Sequence, residues 1–240
     1  SDTVSLTVSG PISITTQPAP TTVNTCAGST VNITMVSTGA TTYQWQIDVG
    51  AGYVNIPNGN SANLSIANVP ANYNNGTIRC VLTNACNTTF SNTVSITVQT
   101  PGLWSGATST AWTTASNWGC SAVPTATTDV VIPSVAVNMP AASSAVNMRS
   151  LTVEPSATIT LSGAGALNIY GNLTNNGTIS GASAWVNFMG SSAQTINGGN
   201  YNRVSVNNAA GLSTTAALTI NDTLQLTSGK VALGSNNLTL

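Results

Sequence analysis

An all-β chain, an immunoglobulin-like β-sandwich followed by a parallel β-solenoid, is predicted by three observations. From Gly28 through Val31, Ile33 and Met35 an apolar residue falls at every second position, as in a half-buried strand. Tyr43-Gln44-Trp45-Gln46 and the alternating run Thr77 to Leu82 around Cys80 follow it. From Asp129 onward the rhythm changes to short apolar pairs separated by Gly, Asn and Ser turns. Finally, only 4% of the 240 residues are charged while 41% are hydrophobic. That low charge could suggest disorder, but the dense period-2 alternation argues for many short strands.

The sandwich is expected over residues 10–100. Ile12 to Pro20 reads as a first strand, broken by prolines that suit a sheet edge. Thr21 to Thr25 continues it and Cys26-Ala27-Gly28 turns the chain into the core strand. Polar, Gly-rich Gly50 to Asn60 reads as a hairpin connection. Leu64-Ser65-Ile66, Val69 and Tyr73 supply the strand and corner before Cys80, and Asn84 to Asn87 the turn before the final strand, Ser91 to Val98. In antibody-type domains a Trp packs beside a disulfide that joins the two sheets. Here Met35 occupies the first cysteine position and Ile78 the tyrosine-corner position, so Cys80 is expected as a buried lone thiol beside Trp45.

Ser1 to Val8, Ser-Asp-Thr-Val-Ser-Leu-Thr-Val, nearly repeats Ser91 to Val98, Ser-Asn-Thr-Val-Ser-Ile-Thr-Val. Residues 1–9 are therefore expected to be the last strand of a preceding repeat domain, the alternative being an N-terminal strand of this one. Pro101-Gly102 marks a boundary. Residues 101–128 hold Trp104, Trp112, Trp118 and Cys120 and read as a Trp-rich cap or linker. The three rings either form a carbohydrate-stacking platform or plug the open end of the next domain; the second reading is favoured because the surrounding Ser/Thr-rich segment has little else to pack.

Residues 129–240 are expected to form the solenoid, incomplete at the C-terminus because Leu238 to Leu240 are still in strand rhythm. Strands of about three residues are too short for an ordinary sandwich and suit stacked coils. The inward positions are Leu151, Val153, Ile159, Leu161, Leu167, Ile169, Leu218, Ile220, Leu224 and Leu226, which alternate with Thr, Ser and Asn. Two pairs of blocks echo each other: Arg149 to Val153 with Asn202 to Val206, and Ala166 to Leu173 with Ala217 to Leu224.

Chemistry is sparse. Histidine is absent, and Asp2, Asp48, Asp129, Glu154 and Asp222 are scattered. Glu154 and Asp222 could meet on one solenoid face, but a glycosidase pair is permitted rather than indicated, so no catalytic residue is expected. No cofactor or metal site is expected either: Asp129 reads as a turn residue, with calcium the alternative. A net charge of −1 gives no reason to expect nucleic acid or an anionic membrane, and no apolar run has bilayer-spanning length. The four cysteines permit three full pairings.

Trp112-Thr113-Thr114-Ala115-Ser116-Asn117-Trp118, then Val123-Pro124-Thr125 and Asp129-Val130-Val131-Ile132-Pro133, resemble the opening of solenoid modules in very large secreted and cell-surface bacterial proteins, typified by type IX secretion substrates and gliding adhesins. The Cys26-x-Gly28 before the second strand and Cys86 near the last hairpin resemble the immunoglobulin-like repeats of such proteins. That resemblance implies a Cys26–Cys86 disulfide, although simple sandwich polarity puts the two at opposite ends. Asp2-Thr3-Val4 and Asp222-Thr223-Leu224 resemble Asp-Ser/Thr-aliphatic sites of O-glycosylation in exported bacterial proteins, which implies Thr3 and Thr223 as acceptors. The function implied is a non-catalytic structural module of an extracellular adhesin or stalk. Its partners would be neighbouring domains of the same long chain, with surface glycans or secretion machinery, without membrane insertion. The alternative is a carbohydrate-binding module accessory to an enzyme elsewhere in the parent chain.

Overall fold

The structure, a computed structural model, describes residues 10–240; the Ser1 to Val8 repeat and Thr3 lie outside the described residues. The chain divides into two units at Thr100/Pro101. No helix among the described residues is long and apolar enough to cross a membrane.

The first unit is a two-sheet sandwich. Its strands are β1 (Ser13–Ala19), β2 (Thr22–Cys26), β3 (Val31–Thr38), β4 (Thr42–Asp48), β5 (Val54–Asn55), β6 (Leu64–Ile66), β7 (Gly76–Thr83), β8 (Thr88–Phe90) and β9 (Val94–Gln99). One sheet is β1-β3-β6; the other is β2-β9-β7-β4-β5, with β8 also on β7. The predicted continuation of β1 into β2 is interrupted at Pro20, where the chain changes sheet: β1 runs antiparallel to β3 and β2 parallel to β9. Burial alternates residue by residue along β3 and β7, as the period-2 pattern requires.

Trp45 and Cys80 face each other across β4 and β7 and are buried together with Met35, Ile33 and Ile78. The Trp45 indole N–H donates to the Ser61 carbonyl at 2.9 Å, so its one polar atom is satisfied inside the core. Cys80 is a free thiol, as its pairing with Met35 rather than a second cysteine demands. Burial pushes it up to about 11, against a smaller opposing contribution from a backbone hydrogen bond at Gln44. The buried Asn84 side chain ties the sandwich end together: it donates to the Gly10 and Gly39 carbonyls and accepts from the Cys86 and Asn87 amides.

The second unit is a parallel β-solenoid. Its strands are β10 (Val130–Ile132), β11 (Ala141–Ala142), β12 (Ala145–Met148), β13 (Leu151–Val153), β14 (Thr158–Leu161), β15 (Ala166–Ile169), β16 (Leu173–Asn175), β17 (Thr178–Ser180), β18 (Trp185–Phe188), β19 (Gln194–Ile196), β20 (Gly199–Asn207), β21 (Leu212–Thr214), β22 (Leu218–Ser228), β23 (Val231–Ala232) and β24 (Leu238–Thr239). They stack into three faces: β10-β13-β16-β19-β21-β23, β11-β14-β17 and β12-β15-β18-β20-β22-β24. Val130, Leu151, Leu173 and Ile196 occupy successive rungs of the first face, roughly 20 residues apart.

Of the predicted inward positions, Leu151, Val153, Ile159, Leu161, Leu167, Ile169, Leu218 and Ile220 are buried. Leu224 is only partly buried against the core. Leu226 is a correction: it is 52% exposed. Leu224 and Leu226 stack on Val204 and Val206 of β20, but on the other side of β22 only Leu218 and Thr219 are covered, by β24. Alternation puts a side chain on the inner face of a coil, yet burial also needs a neighbouring coil. The echoing blocks are not one structural repeat. Leu151 to Val153 lie on the first face and Val204 to Val206 on the third, while Leu167 stacks through Val186 and Val204 onto Leu224 rather than Leu218.

Between coils the polar side chains form ladders. On the third face the Asn168 amide donates to Asn147 Oδ1 at 3.0 Å and Asn187 to Asn168 Oδ1 at 2.8 Å. Inside a corner, buried Gln194 donates to the Ile169 and Gly171 carbonyls and accepts from the Gly190 amide and from the buried Asn208 side chain. Each such group gains stability because leaving it unpaired in the interior would cost more than the bond returns.

Candidate functional site

The segment that the sequence singles out most strongly, Trp104 to Trp118, folds onto the first coil. Trp104 N–H donates to the Val131 carbonyl and Val131 N–H to Gly102, while Trp112 N–H donates to Ala141 and Ala141 N–H to Thr110. Isolated parallel bridges Leu103–Val131 and Ala111–Ala141 extend the first and second faces by one rung. The backbone edges of β10 and β11 are therefore paired rather than open. Two glycines permit this close approach: a Cβ on Gly102 (φ +75°) would lie 2.0 Å from the Asp129 carbonyl oxygen, and one on Gly106 (φ +59°) 2.1 Å from that of Asn138.

Trp104, Trp112 and Trp118 are 1, 1 and 2% exposed and belong to the solenoid core. Trp104 and Trp112 stack with centroids 6.3 Å apart, and Trp118 meets them edge-on at 4.8 and 4.7 Å. The Trp104 indole donates to Asn138 O and the Trp118 indole to Trp112 O, both at 2.7 Å. Trp112 Nε1 is buried without a hydrogen-bond partner. A carbohydrate-stacking platform on these three rings is thus corrected: no sugar can reach faces that are packed against each other and the core. Residues 101–128 are a cap continuous with the solenoid unit rather than a linker.

Asn117 holds this cap. It is fully buried in a 3-10 turn, Ala115–Asn117. Its Oδ1 accepts from the Thr108 amide, the Thr108 hydroxyl and the Ser109 amide at 3.0, 2.7 and 3.0 Å. Its Nδ2 donates to Ser109 Oγ and the Ala111 carbonyl at 2.9 Å each, and its own carbonyl accepts from Ser105 and Gly106. The sequence reading includes Asn117 in its motif but gives it no role; an Asn set between aromatics in an irregular segment is the signal for a loop organiser.

The carboxylates serve structure at separate places. Asp48 accepts from the Gly50 and Gly52 amides in the β4–β5 connection. Glu154 accepts from the amide and hydroxyl of Ser134. Asp129 pairs with Arg149, whose hydrogen bond holds its carboxyl below the ordinary range, and Asp222 is lowered in the same way by Arg203. Thr223, the acceptor implied by resemblance, is half-buried and donates its hydroxyl to Asp222 Oδ1 at 3.0 Å.

The implied Cys26–Cys86 bridge is also corrected. Cys26 lies opposite Gln99 at the end of β9 that passes the Gly76 end of β7, whereas Cys86 follows Thr83 at the other end. The length of β7 between them is about 23 Å, far beyond the ~7 Å between Cα atoms that a disulfide spans. Cys26 is disulfide-bonded, and so is Cys120.

Two surface clusters escape sequence reading. Arg79 lies over the rings of Tyr53 and Phe90, at 3.6 and 4.4 Å, and donates twice to Gln46 Oε1. Arg203 lies 5.8 Å from the ring of Trp185 on the third solenoid face. In each the partners come from different strands, so only register brings them together.

Residues 103–210 match a family described as a domain of unknown function (DUF8693). The match starts at the cap and runs through the coils as far as Ala210. No curated protein matches the chain.

Proposed function

We propose that this chain is a non-catalytic structural module of a large secreted or cell-surface bacterial protein, an adhesin or stalk of the type IX-exported kind, working as a spacer between neighbouring domains. The observation that carries the reading is the cap. A solenoid whose first coil is closed by Trp104, Trp112, Trp118 and Asn117 starts cleanly after another folded unit, with no open strand edge at the junction. The division into two units, each with its own core, fits a chain built by adding modules. Asp48, Asp129, Glu154 and Asp222 each hold a turn or stack a coil, which supports a scaffold over a catalyst. Low charge and Ser/Thr/Asn ladders fit a surface that stays soluble without strong fields.

The test is domain replacement in the parent protein. Antibodies against this chain should label intact cells or the culture medium. Deleting residues 10–240 should impair adhesion, and an unrelated rigid β-module of similar length should restore it. Failure of the replacement alongside surface labelling would assign the binding activity to this chain and sink the spacer reading.

A further inference from the structure

The second solenoid face stops after β11, β14 and β17, although the first and third each continue through six strands. After β19 only Asn197 and Gly198 precede β20, so the coil passes from the first face straight to the third. Among the described residues β17 pairs with β14 alone. Ile159 is fully buried, yet its register partner Ile179 on β17 is only partly buried against the same core. Over it lies a recess of ≈ 310 Å³ lined by Asn175, Gly177, Thr178, Ile179, Gly199 and Asn200.

The backbone says what this recess can take. The Thr178 amide donates to the Ala157 carbonyl at 2.9 Å, toward β14. Because successive residues of a strand point their amide and carbonyl to opposite sides, those of Ile179 face the recess. An unpaired N–H and C=O flanking an apolar side chain is the recognition surface for an added strand. A strand residue within a sheet occupies on the order of 150 Å³, from rise, strand spacing and sheet thickness. The recess therefore holds about two residues of strand, the reach over which both Ile179 groups are paired.

We propose that this recess binds an extended, uncharged peptide segment of a partner chain as a fourth, parallel strand of the second face. The register names its side chains. Thr158 stacks on Thr178, Ile159 on Ile179 and Thr160 on Ser180. A further rung places an aliphatic side chain over Ile179 and small hydroxyl residues on either side. Charged residues are refused because no lining residue carries a charge to pair with them. The site is separate from the cap, so this binding activity goes beyond the spacer reading and stands or falls independently of it.

The experiment uses the full chain and a capped, fluorescein-labelled peptide Asn-Gly-Thr-Ile-Ser-Gly, with anisotropy for affinity and NMR-detected hydrogen exchange for the edge. In the free protein the Ile179 amide should exchange much faster than Ile159, and saturating peptide should slow it about tenfold or more. Methylating the peptide's Ser nitrogen, which donates to the Ile179 carbonyl in parallel register, should weaken binding about tenfold, as should Ile→Lys in the peptide. Asn200→Trp, at an exposed rim position, should weaken binding similarly with an unchanged melting temperature. Any of three results overturns the proposal: Ile179 as protected as Ile159 in the free chain, no binding at millimolar peptide, or binding indifferent to both N-methylation and Asn200→Trp.

Discussion

Replacing Asn117 with Ala should loosen the solenoid from its capped end. The substitution removes the partners of the Thr108 and Ser109 amides and of the Ala111 carbonyl, together with two hydroxyl contacts. A buried polar group left unpaired costs about 1–3 kcal/mol. Thr108 and Ala111 lie at the surface, where water can partly replace the lost bonds, so the three groups together should cost about 2–4 kcal/mol. For a unit of this size that is a fall in melting temperature of about 6–15 °C. Urea unfolding followed by tryptophan fluorescence reads the change directly, because Trp104, Trp112 and Trp118 sit in the cap; a Trp45→Phe background removes the signal of the first unit. Ser116→Ala is the control, since its exposed hydroxyl contacts only Thr108 Oγ1, and it should cost less than about 0.5 kcal/mol. A loss below about 1 kcal/mol for Asn117→Ala would refute the view that this side chain holds the cap.

Leu167→Ala should cost about 3–5 kcal/mol while Leu226→Ala costs less than about 1, because the first is fully buried between coils and the second half exposed; chemical denaturation of the two variants measures the difference. Native Cys80 should resist a thiol reagent at pH 8 and react once the chain is unfolded. Its thiol ionises near 9 in the unfolded chain and is pushed up to about 11 in the fold. The unfolded state therefore binds fewer protons between those values, and stability should fall from pH 9 to pH 11 by about 2–3 kcal/mol at most, a dependence that Cys80→Ala should remove. Carbon-13 NMR titration should place the Asp222 carboxyl below its ordinary range, and Arg203→Gln should return it toward that range. The same pairing stabilises the fold above the unfolded-state value and is lost as pH falls through the lowered one.

The parts of this molecule written in local pattern were legible in the sequence. Alternation placed Met35, Trp45, Ile78 and Cys80 in one core, and the missing second cysteine foretold a lone buried thiol. The switch to short strands announced the solenoid and eight of its inward positions. What depended on pairing between distant strands was not. Nothing in Cys26-Ala27-Gly28 reveals that β2 runs parallel to β9, and only that polarity separates Cys26 from Cys86 by the length of β7. The three cap tryptophans could be recognised as a cluster, but whether their faces are turned inward depends on the Asn117 network, which draws on residues from Ser105 to Ala111.

Leu226 and Ile179 show one further limit, which comes from the way a solenoid buries its core. Both sit at positions whose alternation matches that of a buried neighbour, Val206 below the first and Ile159 below the second. Their exposure is decided by whether the next coil supplies a strand on that face, and that depends on chain length between faces rather than on any property of the residue itself. The two residues Asn197 and Gly198 between β19 and β20 are too few to form a side, so the second face ends there and Ile179 loses its cover. A coil long enough to cross that side would have buried Ile179 as fully as Ile159. Inserting six residues of alternating Thr and Ile between Asn197 and Gly198 should therefore close the recess. The insertion should raise protection of the Ile179 amide to the level of Ile159 and abolish capture of the Asn-Gly-Thr-Ile-Ser-Gly peptide; persistence of peptide binding after closure would place the binding elsewhere on the chain.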